Sequence, residues 1–234
     1  GVRDSDQTLA EAVDILGTLP LLHHPGETWH YSVSTDVLGR LVEVVSGKSL
    51  DTFFRTRIFE PLSMDDTMFE VPQDELEPLA TNYAVNEKGK LTVEDRANAS
   101  EFAAPVKMLS GGGGLVSTMG DYLRFSRMLL NDGVLEGTRL LSPKTVDFMT
   151  QNHLDGTFEP GWGFGLGVRV NQDVSRTQIL GSKGMYEWSG AANTYFFIDP
   201  KEELIAMVWT QLFPHGVYPI GQEFKIAVYQ SIVE

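Results

Sequence analysis

The sequence predicts an α+β fold, and three observations carry that prediction. Apolar residues recur at helical spacing through much of residues 1–159; from residue 160 the composition turns to short strands joined by tight turns; an amphipathic helical pattern closes the chain. Helices first and antiparallel strands afterward, without a strand–helix alternation, is the order of a segregated α+β structure. The domain reading follows the same change, with 1–159 as a mainly helical region and 160–234 as strands and a closing helix.

Gly1 to Asp6 is polar, has neither an initiating Met nor a basic-then-apolar leader, and is expected to lie within a longer protein. Thr8 opens a helical pattern carried by Leu9, Val13 and Leu16 and closed by Gly17, after which Pro20 and Pro25-Gly26 mark a loop. Between Ser34 and Ser46, Val37, Leu38, Leu41, Val44 and Val45 share one helical face, with Ser34 as N-cap and Gly47 as C-cap. Ser49 caps a further helix whose Leu50, Phe53, Phe54 and Ile58 face inward until Pro61 ends it. Residues 70–109 break the pattern with Pro72 and Pro78 and carry one hairpin, turning at Glu87-Lys88-Gly89. A helix then opens at Ser117 or Thr118, with Asp121 at its positive end, and closes at Asn131-Asp132-Gly133. Ser142-Pro143 is the N-cap and first residue of the next.

Phe164, Leu166, Val168 and Val170 alternate strictly, the period of a strand with one buried face. Trp188 to Ile198 and Glu203 to Gln211 read as strands joined by Asp199-Pro200-Lys201-Glu202, too short a link for anything but antiparallel neighbours. A three-stranded sheet is expected. Ile220, Phe224, Ala227, Val228 and Ile232 supply the closing helix that covers it.

Composition excludes several functions. With 18 basic against 32 acidic side chains the net charge is −14, which opposes nucleic-acid and acidic-membrane partners. No apolar run approaches the roughly 18 residues of a membrane span. Zero cysteines remove disulfides, thiolate metal sites and a cysteine nucleophile, and fit a reducing, cytoplasmic compartment. The five histidines, at 23, 24, 30, 153 and 215, form no metal-ligand spacing, so no metal or other cofactor is expected. Gly111 to Gly114 lacks the Lys-Ser/Thr of a phosphate loop and reads as a permissive turn before a helix; the glycines of Gly161 to Gly167 read as points of close backbone approach.

Three ordered stretches carry a resemblance. His24-Pro25-Gly26-Glu27-Thr28-Trp29-His30-Tyr31-Ser32-Val33-Ser34 leads a helix and then Ile58-Phe59-Glu60-Pro61-Leu62; Gly113-Gly114-Leu115-Val116-Ser117-Thr118 precedes Asp121, Phe125 and Asn131-Asp132-Gly133; Tyr186-Glu187-Trp188-Ser189-Gly190-Ala191-Ala192 precedes Phe197-Ile198-Asp199-Pro200. In this order they resemble the serine β-lactamase-like superfamily, the fold of class C β-lactamases and penicillin-binding proteins, and within it the family VIII carboxylesterases. The resemblance implies a serine activated by a lysine one helical turn away and by a tyrosine. Tyr31 matches that tyrosine, as general base or proton shuttle. A phenol with a pKa near ~10 serves so only beside cations that lower it. Trp188 stands where Lys or His is usual, in a strand that would line the substrate with Ser189 and Gly190, and the N–H of Ala191 would be one oxyanion donor, worth roughly 3–4 kcal/mol of barrier. Lys183, just before this strand, reads as a solvated loop residue.

Two departures sharpen the expectation. Val33 replaces the Asn that meets the substrate amide in penicillin-recognising members, which favours small esters. The Ser-x-x-Lys motif is absent: the residues three before Lys48, Lys88, Lys90, Lys107, Lys144, Lys183, Lys201 and Lys225 are Val45, Val85, Glu87, Ala104, Leu141, Leu180, Ile198 and Gln222. The resemblance therefore implies the later portion of a carboxylesterase-type serine hydrolase whose first strands and nucleophile helix come from an N-terminal fragment, inactive by itself. A β-lactamase or D-Ala-D-Ala peptidase, and a non-catalytic ligand- or partner-binding fragment, are the alternatives.

Overall fold

A computed structural model describes residues 6–103, 105–156 and 158–233. They form two compact units. One holds the described residues up to Leu79 with Ala97–Asp121; the other holds Ala80–Arg96 and the described residues from Tyr122 onward. This division departs from the 159/160 boundary that composition suggests. The hairpin of residues 82–95 pairs with a strand near the C-terminus, and Tyr122 packs edge-on against Phe196 (5.0 Å) and Trp209 (5.5 Å), so both segments belong with the sheet.

The first unit is helical. Helix α1 (Leu9–Leu16) starts at a capping box in which Thr8 and Glu11 satisfy each other's backbone N–H groups. Helix α2 (Ser34–Ser46) begins with Val33, not Ser34, in the cap position, and ends on Gly47 at φ 68°. Helix α3 (Leu50–Phe54), capped by Ser49, runs through a π turn at Arg55–Phe59 into α4 (Glu60–Leu62), one residue beyond Pro61. Leu9, Leu50 and Phe69 form a core cluster, with Val13, Val42, Phe54, Met108 and Leu109 packed on it.

Helix α2 reverses its expected orientation. Asp36 and Gly39 are the buried positions, while Leu38, Leu41, Val44 and Val45 are 56, 54, 63 and 79 % exposed. The inward face is decided by close approach. A Cβ on Gly39 would sit 2.9 Å from Leu50, and one on Gly111 only 2.4 Å from the Thr35 carbonyl oxygen, so two glycines let the Ser110–Gly114 turn press on α2. Asp36 Oδ1 then accepts from Ser110 Oγ (2.5 Å) and Gly112 N (3.2 Å).

In the second unit β1 (Asn82–Val85) and β2 (Leu91–Asp95) form the expected hairpin. Helix α5 (Met119–Leu130) crosses the unit boundary and ends at Asn131-Asp132-Gly133. After it, β3 (Val134–Leu135) and β4 (Thr138–Arg139) pair, and α6 (Pro143–Met149) is capped by Ser142. The main sheet has five antiparallel strands, not three, in the order β5 (Trp162–Phe164), β6 (Arg169–Asn171), β7 (Tyr186–Ser189), β8 (Thr194–Asp199), β9 (Leu204–Trp209). The alternating run at 164–170 is thus no single strand. It folds back through Gly165–Val168, closed by Gly165 N to Val168 O at 2.8 Å. Trp188 to Ile198 is likewise a hairpin. Helix α7 (Val174–Thr177) fills the β6–β7 connection, and β10 (Leu212–Phe213) joins β1 in parallel. The closing helix α8 (Ile220–Gln230) packs Phe224, Val228 and Tyr229 onto Trp162, Met185, Tyr195, Phe197 and Ala206.

This packing sets an alkaline limit. Burial raises the phenols of Tyr122, Tyr186, Tyr195 and Tyr229 above their usual range, helped at Tyr195 by Glu187 and at Tyr229 by Asp199. The folded state then keeps protons that the unfolded chain releases near pH ~10, so stability is intact below that pH and falls above it. Lys225, lowered by burial, works in the opposite sense. A titration followed by tyrosinate absorbance and far-UV circular dichroism should show these rings ionising together with loss of structure; their ionisation with unchanged dichroism would contradict the packing.

Candidate active site

Tyr31 lies three residues before α2, in a loop turned by Pro25-Gly26 with Gly26 at φ 87°. Glu27 N donates to the His24 carbonyl (3.1 Å) and His24 N to Glu27 Oε2 (3.2 Å), and the His23 and His30 rings meet at 5.5 Å. The Tyr31 ring is tilted against Trp29 at 6.2 Å and is 70 % exposed. Val33 is half-buried, and beside it the hydroxyls of Ser32 and Ser34 share a hydrogen bond (2.7 Å). Because α2 is clamped through Asp36 and Gly39, the phenol is presented from a fixed helix start.

Trp188 and Ser189 end β7, paired with Phe196 and Tyr195 of β8. In the turn that follows, a Cβ at 190 would stand 2.2 Å from Thr194 Oγ1, so a larger residue there would have to turn that hydroxyl aside. Gly190 N donates to Thr194 O (2.7 Å) and Asn193 N to Gly190 O (3.1 Å), bonds that leave the N–H of exposed Ala191 outside the turn's own ring. Asn193, buried at φ 60°, fixes the turn from beneath through Nδ2 to Leu212 O (2.6 Å) and by accepting from Gly216 N (3.2 Å). Lys183 is exposed.

Behind this strand lies a charged cluster that sequence reasoning missed. Glu187, fully buried, accepts from Arg169 Nε (2.9 Å), from Tyr195 OH (2.6 Å) and from Lys225 Nζ, itself 1 % exposed. Arg169 and Lys225 also lie over the Trp162 ring, at 4.4 and 5.1 Å. The signal available was a lysine on the inward side of an otherwise apolar helical stripe and a glutamate within an aromatic strand. Neither residue type announces burial.

A family model described as Beta-lactamase matches residues 1–229. The chain belongs to that family. Among curated relatives, Protein Rv1367c of Mycobacterium tuberculosis is 36% identical over 212 residues, covering 85% of this chain and 52% of the relative. Lovastatin esterase of Penicillium rubens is 31% identical over 217 residues, covering 82% and 52%. The solved structure titled EstCE1, a hydrolase with promiscuous acyltransferase activity, superposes with a TM-score of 0.82 at 25% identity, over 95% of this chain and 61% of that one. The chain spans about half the length of the curated relatives it matches. The Beta-lactamase family fold accounts for the antiparallel sheet with its closing helix. Among the described residues no helix is long and apolar enough to cross a membrane.

Proposed function

We propose that this chain is part of an acyl-enzyme serine hydrolase acting on small carboxylic esters. The observation that carries the reading is Tyr31, an exposed phenol held at the start of a clamped helix in a Beta-lactamase family chain. Val33 and Trp188 offer neither an amide partner nor a cation to a β-lactam, and the esterase named among the relatives is consistent with ester chemistry. In this reading a serine attacks the ester carbonyl, a lysine and Tyr31 carry its proton to the departing alcohol, the Ala191 N–H holds the tetrahedral oxyanion, and water releases the acid.

Serine and lysine of the Ser-x-x-Lys pair come from polypeptide outside these 234 residues, because no lysine here has serine three positions before it. The exposed apolar side chains of α2, together with Leu21 and Leu22 at 75 and 76 % exposure, support a partner segment docking on this unit. One experiment tests both parts: the enzyme is assayed on p-nitrophenyl butyrate and a chromogenic cephalosporin, then labelled with a fluorophosphonate and mapped by mass spectrometry. Ester hydrolysis with label on a serine outside the present sequence is expected. A label on a serine of this chain overturns the nucleophile assignment, and preference for the cephalosporin overturns the ester reading.

A further inference from the structure

Three stretches of the helical unit enclose a cavity of about 330 Å³: Ser49 and Asp51 at the start of α3, Met68 to Glu70 after α4, and Val106 with Leu109. That volume lies at the lower end of the ~300–1,000 Å³ usual for small-molecule sites. Its polarity is graded. Phe69, 2 % exposed, forms the floor; Met68, Val106 and Leu109 are half-buried walls; Ser49 and Glu70 are exposed and mark the mouth. Asp51 is half-buried.

The enclosure is preformed. Phe69 stacks on Phe54, with centroids 6.0 Å apart and planes at 13°. Met68 is tied to Val116 by two backbone bonds, Met68 N to Val116 O (3.2 Å) and Val116 N to Met68 O (2.9 Å). Val106 N donates to Glu70 Oε2 (2.9 Å), which joins two of the stretches directly. Ser49 Oγ accepts from Thr52 N (3.4 Å) and so holds the third as the cap of α3.

The lining is also one-sided in charge. Two carboxylates face the cavity and no basic side chain does. Lys48, next to Ser49, is exposed and does not line it, while Arg55 pairs with Glu60 (2.5 Å) and Lys107 with Asp6 (3.9 Å). An anion is therefore opposed, by these carboxylates and by the net charge of −14. A bare metal ion fits poorly as well. Hard cations take six or more oxygens, whereas four of the seven lining side chains are apolar, and among the described residues no group of three or more His, Asp or Glu could hold a metal.

We propose that this cavity binds a small organic ammonium, its apolar body against Phe69, Met68, Val106 and Leu109 and its cationic head on Asp51 and Glu70. The site is a further one and does not rest on the ester reading. Tyr31 precedes the first residue of α2 and Ser49 follows its last, and the thirteen residues of that helix span about 20 Å. Apolar contact and charge act together: burying the body supplies attraction to any ligand of suitable shape, and the two carboxylates select the cation among them.

The test uses four probes on the enzyme: 2-phenylethylammonium, 2-phenylethanol, 3-phenylpropionate and methylammonium. Each is titrated to millimolar concentration while the Met68 ε-methyl is followed by carbon–proton NMR, the signal being assigned by its loss in Met68→Leu. Phenylethylammonium should shift this methyl and bind several-fold more tightly than the alcohol. The carboxylate probe should bind more weakly than the alcohol, and methylammonium, which lacks the ring, should leave the signal in place. Asp51→Asn and Glu70→Gln keep size and, at Glu70, an oxygen for the Val106 N–H; each should weaken phenylethylammonium by about two- to fivefold, the range of solvent-accessible ion pairs, and leave phenylethanol unchanged. Added salt should weaken the ammonium alone. Equal affinity for ammonium and alcohol, or charge variants that bind the ammonium as the parent does, overturns the assigned class. A Met68 methyl that no probe moves shows the cavity filled in the enzyme and overturns the site. Ester turnover enters none of these readouts, so loss of the hydrolase reading would leave each outcome decisive.

Discussion

Replacing Glu187 with alanine lowers stability by about 3–5 kcal/mol, the range found when one partner of a buried ion pair is removed. The size follows from what the change leaves behind. Lys225 is 1 % exposed, and burial already pulls its ammonium below the usual lysine range against the upward pull of Glu187. Without that carboxylate the cation keeps only the faces of Trp162 (5.1 Å), Tyr195 (5.7 Å) and Phe197 (6.0 Å). The Tyr195 hydroxyl loses its acceptor in the same step. Arg169 suffers less, since it retains Glu159 at 3.2 Å and is 27 % exposed. The reverse deletion should be milder: Lys225→Met leaves Glu187 bonded to Arg169 and Tyr195. Urea unfolding of the two single variants and of Glu187→Leu with Lys225→Met checks this, because the double variant removes both charges and should recover much of the loss. Equal losses in the two single variants, or a loss under about 1 kcal/mol for Glu187→Ala, would show that the cluster is not the buried tie between β6, β7, β8 and α8 described above.

That cluster also marks where sequence stops being informative. The capping box at Thr8 and the Ser142-Pro143 start are legible because cap chemistry is confined to three or four residues. Helix α2 is legible as a helix, yet its orientation is not. Periodicity groups Val37, Leu38, Leu41, Val44 and Val45 on one side, but the side that turns inward is chosen by Gly39 and by Gly111, which lies far along the chain. The run Phe164 to Val170 fails for a related reason. A period of two survives a tight turn, so β5 and β6 look like one strand until Gly165 is seen against the Met149 carbonyl, 2.3 Å from where a Cβ would be. At the candidate site, Tyr31, Val33 and Trp188-Ser189-Gly190-Ala191 stand out through an ordered set of motifs. Glu187 and Lys225 lie 38 residues apart, and their contact exists only once α8 closes over the sheet.

Tyr31→Phe tests the proposed function at the residue to which it assigns proton transfer. The substitution removes one oxygen and keeps the ring, so the tilted contact with Trp29 survives, and at 70 % exposure the hydroxyl is not part of a core. Folding and thermal midpoint should therefore match the parent. Turnover of p-nitrophenyl butyrate by the enzyme should fall about 10²–10⁴-fold, the usual contribution of a positioned proton-transfer group. The fall belongs in kcat, with KM little changed, if the phenol has the proposed role on the proton of the attacking serine and not on the ground-state ester. Ser32→Ala is the matching control: it removes a neighbouring hydroxyl, bonded to Ser34 at 2.7 Å, and should leave turnover near the parent value. Near-normal kcat in Tyr31→Phe would remove Tyr31 from the mechanism. A loss shared equally by Ser32→Ala would point instead to the loop's shape, since the phenol is intact in that variant.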